Sequence, residues 1–221
     1  MLPGHPHVII HRGRSGHPVF LDAADRGLYR ASVIEAARNA KVAVHAYALL
    51  PTEVRLLVSP TGGSGLADLM QAVGRRYVRG FNQKYHCTGT PWEGRFRSAV
   101  IEAEVQLLPC MRFVEGAANS GGLEVDSWSS AGHHLGSRLD PLVSDHPVFW
   151  ALGNTPFERE AAYRRFIDLP VGESEVVEIL LAALNGWALG SPEFAEMVGI
   201  RAGRRSQRTS RGRPRRPTPE K

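Results

Sequence analysis

The 221-residue sequence contains only two cysteines, Cys87 and Cys110, which lie far apart and lack the spacing of a metal-binding motif. Two isolated thiols argue against a disulfide scaffold and fit a reducing compartment. No apolar run approaches the roughly 18 residues that a transmembrane helix requires. The N-terminal residues MLPGHPHVII lack the basic start and the long apolar stretch of a signal peptide. We therefore expect a cytoplasmic, globular protein.

Net positive charge is confined to the C-terminal end of the chain. The net charge is +5, from 27 Lys and Arg against 22 Asp and Glu. Residues 201–221 contain eight Arg and one Lys against one Glu, which leaves 18 basic and 21 acidic residues in residues 1–200. The C-terminal segment also contains three Pro and has no apolar periodicity. This composition predicts a disordered tail that contacts nucleic acid, or a polycation that only keeps the protein in solution.

The tail contains the sequence RGRPRR at residues 211–216, a pattern suited to the DNA minor groove. Proline keeps the chain extended, and glycine lets the backbone approach the floor of a narrow groove. The arginine side chains then lie along A·T base edges and phosphates. The pattern resembles the AT-hook core, Arg-Gly-Arg-Pro. We therefore expect four tail residues to contact DNA: Arg211, Arg213, Arg215 and Arg216.

Hydrophobic periodicity and turn residues predict the order strand, helix, hairpin, helix, strand, helix in the first 119 residues. The predicted strands lie within residues 7–13, 42–50, 54–60 and 89–101, and the predicted helices within residues 22–41, 65–86 and 105–119. Asp22 is the expected N-cap of the first helix. Pro109 is expected in the first turn of the third helix, where proline is tolerated. This order is typical of an α+β fold in which helices pack on an antiparallel sheet.

Basic and aromatic residues alternate between residues 75 and 97. Six basic residues stand there against one acid: Arg75, Arg76, Arg79, Lys84, Arg95 and Arg97. Trp92 and Phe96 interleave with the last two, and a flat ring beside a cation suits unpaired bases and a sugar–phosphate chain. Such stacking contributes roughly 1–3 kcal/mol per base. Alternatively, Trp92 and Phe96 are core residues and the arginines form a solvated face.

Glu53 and Arg55 are an unusual pair within the predicted hairpin. Side chains at i and i+2 of a strand point to the same face, so a carboxylate and a guanidinium stand together on a strand of Val and Leu. A strand rich in core-forming residues has no evident structural need for this pair.

Motifs along nearly the whole chain resemble the REP-associated tyrosine transposases, a bacterial branch of the HUH single-strand DNA transposases. The motifs are HVIIHRG, VHAYALLP, RLLVSP, NQKYHCTGTPWEGRFRS, LLPCMRFVE, SWSSAGHHLG, PVFWALG with EREAAYRRF, and ALGSPEF. The resemblance implies a transposase domain in residues 1–136, a helical extension in residues 137–200 and a DNA-binding tail in residues 201–221. It also implies a DNA partner, a hairpin of repeated palindromic sequence beside a single strand. The location is then the nucleoid, with Arg12 and Arg14 near the DNA.

The same resemblance implies that the cleavage chemistry has been lost. In the family, two His bind Mg²⁺ or Mn²⁺ and a Tyr attacks the phosphate; here Glu53, Arg55 and Phe113 occupy these positions. One carboxylate is a poor metal site, Arg55 offers no lone pair, and Phe113 has no hydroxyl. We therefore expect no intact catalytic residue, no metal site and no cofactor. Arg55 either contacts a DNA phosphate or forms a simple ion pair with Glu53.

Two functions of different classes remain open at this point. In the first, the chain is a DNA-binding protein that recognises hairpin or repeat DNA without cleaving it. In the second, it is an active single-strand transposase with an unorthodox site, in which His45 joins Glu53 as a metal ligand and Tyr77 is the nucleophile. Tyr77 lies on the apolar stripe of its helix, which favours a core position. A product without a selected role is a third possibility.

Overall fold

The computed structural model describes residues 2–119, 128–203 and 205–207. These residues form five strands and eight α-helices. The strands are β1 (His7–Arg12), β2 (Val42–Leu49), β3 (Glu53–Pro60), β4 (Arg97–Ile101) and β5 (Ala188–Leu189). The helices are α1 (Ala23–Ala40), α2 (Gly65–Tyr85), α3 (Ala103–Asn119), α4 (Ala131–His134), α5 (Pro147–Trp150), α6 (Pro156–Ile167), α7 (Glu173–Asn185) and α8 (Pro192–Ala202). No helix within the described residues combines the length and apolar character that crossing a bilayer requires.

The strands form one sheet with the order β2-β3-β1-β4-β5. The first four strands are antiparallel neighbours, and β5 pairs in parallel with the end of β4. The unit β1-α1-β2-β3-α2-β4 has the split-βαβ connectivity of a ferredoxin-like fold. This agrees with the α+β architecture that the sequence predicts.

Helices cover both faces of the sheet because both faces of its central strands are apolar. Ile9, Leu56 and Val58 face α1 and α2, and we call this interior the α1–α2 core. Val8 and Leu57 face α3, α6 and α7, and we call this interior the α3–α7 core. Alternation along β3 therefore decides which layer each of its side chains meets.

The first helix begins as the sequence predicts. The Asp22 carboxylate accepts the backbone N–H of Asp25 at 3.0 Å, and the Asp25 carboxylate accepts the backbone N–H of Asp22 at 3.2 Å. This reciprocal capping box satisfies two N–H groups that a helix start leaves free. The N-cap prediction for Asp22 is confirmed.

The prediction for Pro109 is wrong. Helix α3 begins at Ala103, so Pro109 lies in its interior rather than in its first turn. Proline lacks an N–H and costs about 3 kcal/mol inside a helix. The neighbouring residues Leu107, Cys110 and Met111 are buried in the α3–α7 core, and their burial offsets that cost.

The C-terminal region adds a strand as well as helices. Ala188 and Leu189 pair with Val100 and Ile101 of β4, and α7 packs on the same strand. The expected start of the tail at residue 201 falls inside α8. Ser206 is also buried, and its backbone oxygen accepts the N–H of Ala188 at 2.9 Å. The expected tail contacts from Arg211, Arg213, Arg215 and Arg216 lie outside the described residues.

Candidate nucleic-acid interface

The structure brings together the three positions at which the sequence implies lost chemistry. Arg55 shares a face of β3 with Leu57 and therefore points toward α3. Its guanidinium lies 4.1 Å from the centre of the Phe113 ring, and its Nη1 donates to the Phe113 backbone oxygen at 2.8 Å. A cation over a ring in this geometry is attractive. Residues 58 positions apart in sequence thus form one contact.

Glu53 links Arg55 to a second arginine. Its Oε1 accepts from Arg55 at 2.6 Å, and its Oε2 accepts from Arg12 Nε at 3.1 Å. The Glu53 and Arg55 side chains are 13% and 17% exposed, whereas that of Arg12 is 42% exposed. Both carboxylate oxygens are therefore engaged by cations, which leaves Glu53 poorly placed to bind a divalent metal. Within the described residues, no group of three or more His, Cys, Asp or Glu side chains has an arrangement that could hold a metal ion.

His45 does not lie beside Glu53, so the alternative metal site is wrong. The His45 ring hydrogen-bonds to the Ser59 hydroxyl at 2.8 Å and to the Ser144 backbone oxygen at 2.7 Å. Ser59 lies six residues beyond Glu53 along β3, which separates the two positions by about 20 Å. His45 is a buried histidine that ties the hairpin to the loop after α4.

Tyr77 is likewise not a nucleophile in this structure. Its side chain is fully buried in the α1–α2 core, on the other side of the sheet from Phe113. Its hydroxyl donates to the backbone oxygen of Val19. Burial raises the pKa of Tyr77, because the phenolate loses its hydration.

The burial of His45 predicts acid destabilisation. Burial is the largest influence and lowers the pKa of His45 to about 4, from an ordinary value near 6.5. The folded state therefore favours the neutral ring. The contribution of His45 to the free energy of unfolding is fully present above pH 6.5 and is lost as the pH falls toward 4. His45→Gln is expected to remove about 2–3 kcal/mol of the fall in unfolding free energy between pH 7 and pH 4.5, as measured by urea titration.

The exposed His17 provides the matched control for this measurement. His17→Gln is expected to leave the fall unchanged. An equally steep fall in the His45→Gln variant would show that other groups carry it. His11 is one such group, because burial also lowers its pKa to about 4.

Trp92 anchors the basic loop and does not present a surface for bases. It is 3% exposed, and its ring stacks on that of His11 with 4.1 Å between centres. Trp92 also forms a β-bridge with Gly13, and the Glu93 N–H donates to the Arg12 oxygen at 2.9 Å. The prediction that Trp92 stacks on DNA bases is wrong because the ring is buried. Its packing instead holds the loop before β4 against the end of β1.

This loop lines a basic groove along β4, which we call the β4 groove. The groove is about 820 Å³ in volume and runs between the loop, α2 and the C-terminal end of α7. A cleft of about 120 Å³ continues it, lined by Ile10, Arg12, Glu93, Arg95, Arg97 and Leu184. Arg55 and Arg97 each pair with Ile10, from opposite sides, so they share a sheet face roughly 10 Å apart. The β4 groove therefore leads toward the Glu53 and Arg55 pair. Arg14 is exposed just beyond, in a short 3-10 turn.

The other basic residues of the predicted cluster lie on a different surface. Arg75, Arg76 and Arg79 line a groove of about 510 Å³ between α1 and α2, which we call the α1–α2 groove. All three are exposed, and Arg76 forms an ion pair with Glu35. The sequence predicts one contiguous cluster, but β4 follows a turn that carries Arg95 and Arg97 away from this groove.

Lys84 is committed to the start of α1. Its Nζ lies 2.6 Å from Asp22 and 2.8 Å from Asp25. These two carboxylates, with the hydroxyl of Tyr85 on Asp25, surround the ammonium group. The expectation that Lys84 contacts DNA is therefore not supported, because its charge is neutralised within the protein.

Sequence reasoning missed a buried polar cluster beside the Arg55 contact. Glu115 is fully buried, and its carboxylate accepts from His134 Nδ1 at 2.7 Å, from the Tyr163 hydroxyl at 2.6 Å and from the Ser130 hydroxyl. Burial disfavours charge on His134, but the Glu115 carboxylate outweighs it and the pKa of His134 is raised. The cluster joins α3, α4 and α6. The signal in the sequence is one acid, Glu115, directly after the buried residues Phe113 and Val114 of α3.

Comparisons with known proteins establish the fold. No protein-family model matches the chain, and no curated protein matches it in sequence. The chain is similar to the solved structure of a REP-associated tyrosine transposase bound to a REP hairpin, with 14% identity and a TM-score of 0.52 over 66% of this chain and 88% of that one. A candidate transposase of Deinococcus radiodurans R1 has 18% identity and a TM-score of 0.38, over 46% of this chain and 82% of that one.

The chain therefore has the α+β fold of a REP-associated tyrosine transposase. The resemblance that the sequence motifs indicate is confirmed at the level of the fold, over the part of the chain that the comparison covers.

Proposed function

We propose that the protein binds DNA on a transposase fold without cleaving it. The observation that supports this proposal is the contact between Arg55 and Phe113, the residues at the positions that the resemblance assigns to a metal ligand and to the nucleophile. A guanidinium has no lone pair for a metal, and a phenyl ring has no oxygen to attack phosphorus. Exposed arginines that could bind a DNA strand remain on the surface.

The β4 groove supports a nucleic-acid partner. Arg95 and Arg97 are exposed along it, and Arg12 is exposed in the adjoining cleft, where Glu93 is the one acid that lines the wall. Exposed guanidinium groups pair well with phosphate oxygens. The similar solved structure holds a REP hairpin, so we propose a DNA hairpin or a single strand next to one as the partner of this chain. Neither a metal nor another cofactor is needed for this function.

A cleavage assay tests the proposal directly. Labelled single-stranded hairpin DNA is incubated with the protein and Mg²⁺ or Mn²⁺, and the products are separated on native and denaturing gels. We expect a shifted strand that remains intact. Cut DNA, or a covalent protein–DNA adduct, would support the active enzyme instead.

Phe113→Tyr alone is expected to restore neither cleavage nor an adduct. The new phenol ring would lie against Arg55, with no metal site to polarise the scissile phosphate. Formation of an adduct on the denaturing gel in the presence of Mn²⁺ would contradict this expectation. It would mean that Glu53 and Arg55 still support catalysis.

Two charge-matched double variants locate the bound strand. Arg95→Ala with Arg97→Ala is expected to weaken binding of an unstructured single strand by about tenfold, because both arginines line the β4 groove. Arg75→Ala with Arg79→Ala is expected to affect that strand less and to reduce the preference for a hairpin over a random strand. Fluorescence anisotropy at fixed salt measures both effects. Identical losses on both DNAs would show a contact by net charge alone.

A further inference from the structure

The Glu53 carboxylate lies between two arginines where a phosphate group would bind. Its Oε1 is 2.6 Å from Arg55, and its Oε2 is 3.1 Å from Arg12. A carboxylate and a phosphodiester each carry one negative charge and two oxygens that a guanidinium recognises. The protein thus holds an anion of its own in a site with the chemistry of a phosphate clamp.

The position of this clamp relates it to the β4 groove. Arg12 lines the cleft that continues the groove, and it pairs with Glu53 across neighbouring strands. A single strand of DNA that binds along Arg95 and Arg97 would therefore reach Arg12 next. Arg55 is the following cation on the same sheet face, and Glu53 stands between the two.

We propose that Glu53 competes with a DNA phosphate for Arg12 and Arg55 and so sets the affinity of the groove for its strand. This inference rests on the proposed function. Arg55 keeps a second partner, the Phe113 backbone oxygen, so it stays in place when Glu53 leaves. Glu53 is the first residue of β3, next to the exposed turn residues Pro51 and Thr52, and its side chain is itself partly exposed.

Glu53→Gln tests the competition. The amide keeps the shape of the side chain and removes its charge, so each arginine is more available to phosphate. We expect the variant to bind an unstructured single-stranded oligonucleotide about 5- to 20-fold more tightly at low salt, with a salt dependence steeper by about one phosphate contact, or roughly 0.7 in slope. Glu173→Gln is the control, because it removes an equal charge from the exposed first turn of α7.

A mutant cycle adds a second measurement. Arg12→Ala is expected to weaken binding more in the Glu53→Gln background than in the unaltered protein, because Arg12 is then free for the strand. Thermal unfolding checks that each variant is folded. If the Gln variant does not fold, Glu53→Thr takes its place, because threonine is favoured in β-strands. The same gain in DNA affinity is expected.

The outcomes separate this inference from the proposed function. Equal gains from Glu53→Gln and Glu173→Gln would overturn it in favour of net charge. Unchanged or weaker binding by a folded Glu53 variant, while the unaltered protein binds DNA, would also overturn it and would leave the proposed function standing. If none of the proteins binds DNA, the proposed function fails and the inference fails with it.

Discussion

Removal of residues 208–221 is expected to weaken DNA binding about 100-fold at low salt and to flatten its salt dependence. This segment contains five Arg and one Lys against one Glu, so its net charge of +5 equals that of the whole chain. Each phosphate that loses a cation lowers the slope of log K against log salt by about 0.7–0.9. Anisotropy titrations over a range of salt concentrations measure both quantities.

The structure fixes where this truncation must begin. Ser206 is buried against Ala188 and Ala195, so a cut at residue 201 would damage the fold as well as remove charge. Ala188 lies two residues from Gly186, which lines the β4 groove. Ser206 therefore lies within roughly 12 Å of Gly186, at 3.8 Å per residue plus one backbone hydrogen bond, and the removed segment begins two residues later. Fourteen residues can span up to roughly 46 Å when extended, so the length of this segment allows contact with a DNA strand held there.

A tail with residues 211–216 in permuted order is the matched control. It keeps length and charge but breaks the Arg-Gly-Arg-Pro sequence. If the tail is only a polycation, the permuted protein binds every DNA as the unaltered protein does. If the tail reads a minor groove, the permuted protein loses preference for an A·T-rich duplex and retains its affinity for single strands. A salt slope unchanged by truncation would contradict the assignment of phosphate contacts to the tail.

Glu115→Ala is expected to cause the largest loss of stability of any single substitution considered. It would leave His134 and the hydroxyls of Ser130 and Tyr163 buried without their shared acceptor. Breaking a buried charged network costs about 3–5 kcal/mol, which for a chain of this length lowers the Tm by roughly 8–15 °C. Differential scanning calorimetry measures the shift.

Two controls separate the network from general effects. Tyr163→Phe removes one donor and is expected to cost about 1 kcal/mol. Glu104→Ala, at an exposed position in the first turn of the same helix, is expected to cost less than about 1 kcal/mol. A Glu115→Ala variant as stable as Glu104→Ala would show that the three donors find other partners.

The pH dependence of this network has a definite sign. Because the pKa of His134 is raised in the folded state, the pair stabilises the protein below the ordinary histidine pKa of about 6.5. That contribution is lost as the pH rises through the raised value. The variant without Glu115 should therefore be least different from the unaltered protein at alkaline pH.

Local patterns predict the elements of this fold well because each rests on neighbouring residues. The Asp22 cap and the shared strand face of Glu53 and Arg55 depend only on sequence spacing, and both are observed. The predicted position of Pro109 is wrong because the burial of α3 outweighs the local preference of proline for the first turn of a helix. Strand β5 has only two residues, too few for any periodic signal.

The sequence likewise predicts some features of the candidate site and misses others. The convergence of Glu53, Arg55 and Phe113 could be expected from the motifs, although their spacing alone does not bring them together. The burial of Trp92 depends on its contact with His11 on another strand, which composition does not reveal. The separation of Arg75 and Arg79 from Arg95 and Arg97 depends on the direction that the chain takes after α2. The Glu115 cluster unites residues from three helices, so no pattern within a single segment predicts it.

The two-residue strand β5 also bears on how the protein is made. A growing polypeptide leaves the ribosome from its N-terminal end, so β1 to β4 and the α1–α2 core can assemble early in synthesis. The opposite side of the sheet is covered first by α3 and α6, and its β4 end, with Ala99 and Ile101, is completed only when α7 and β5 have emerged. A nascent chain that stalls before α7 would therefore expose the apolar surface of β4, which is a target for chaperones and a source of aggregation.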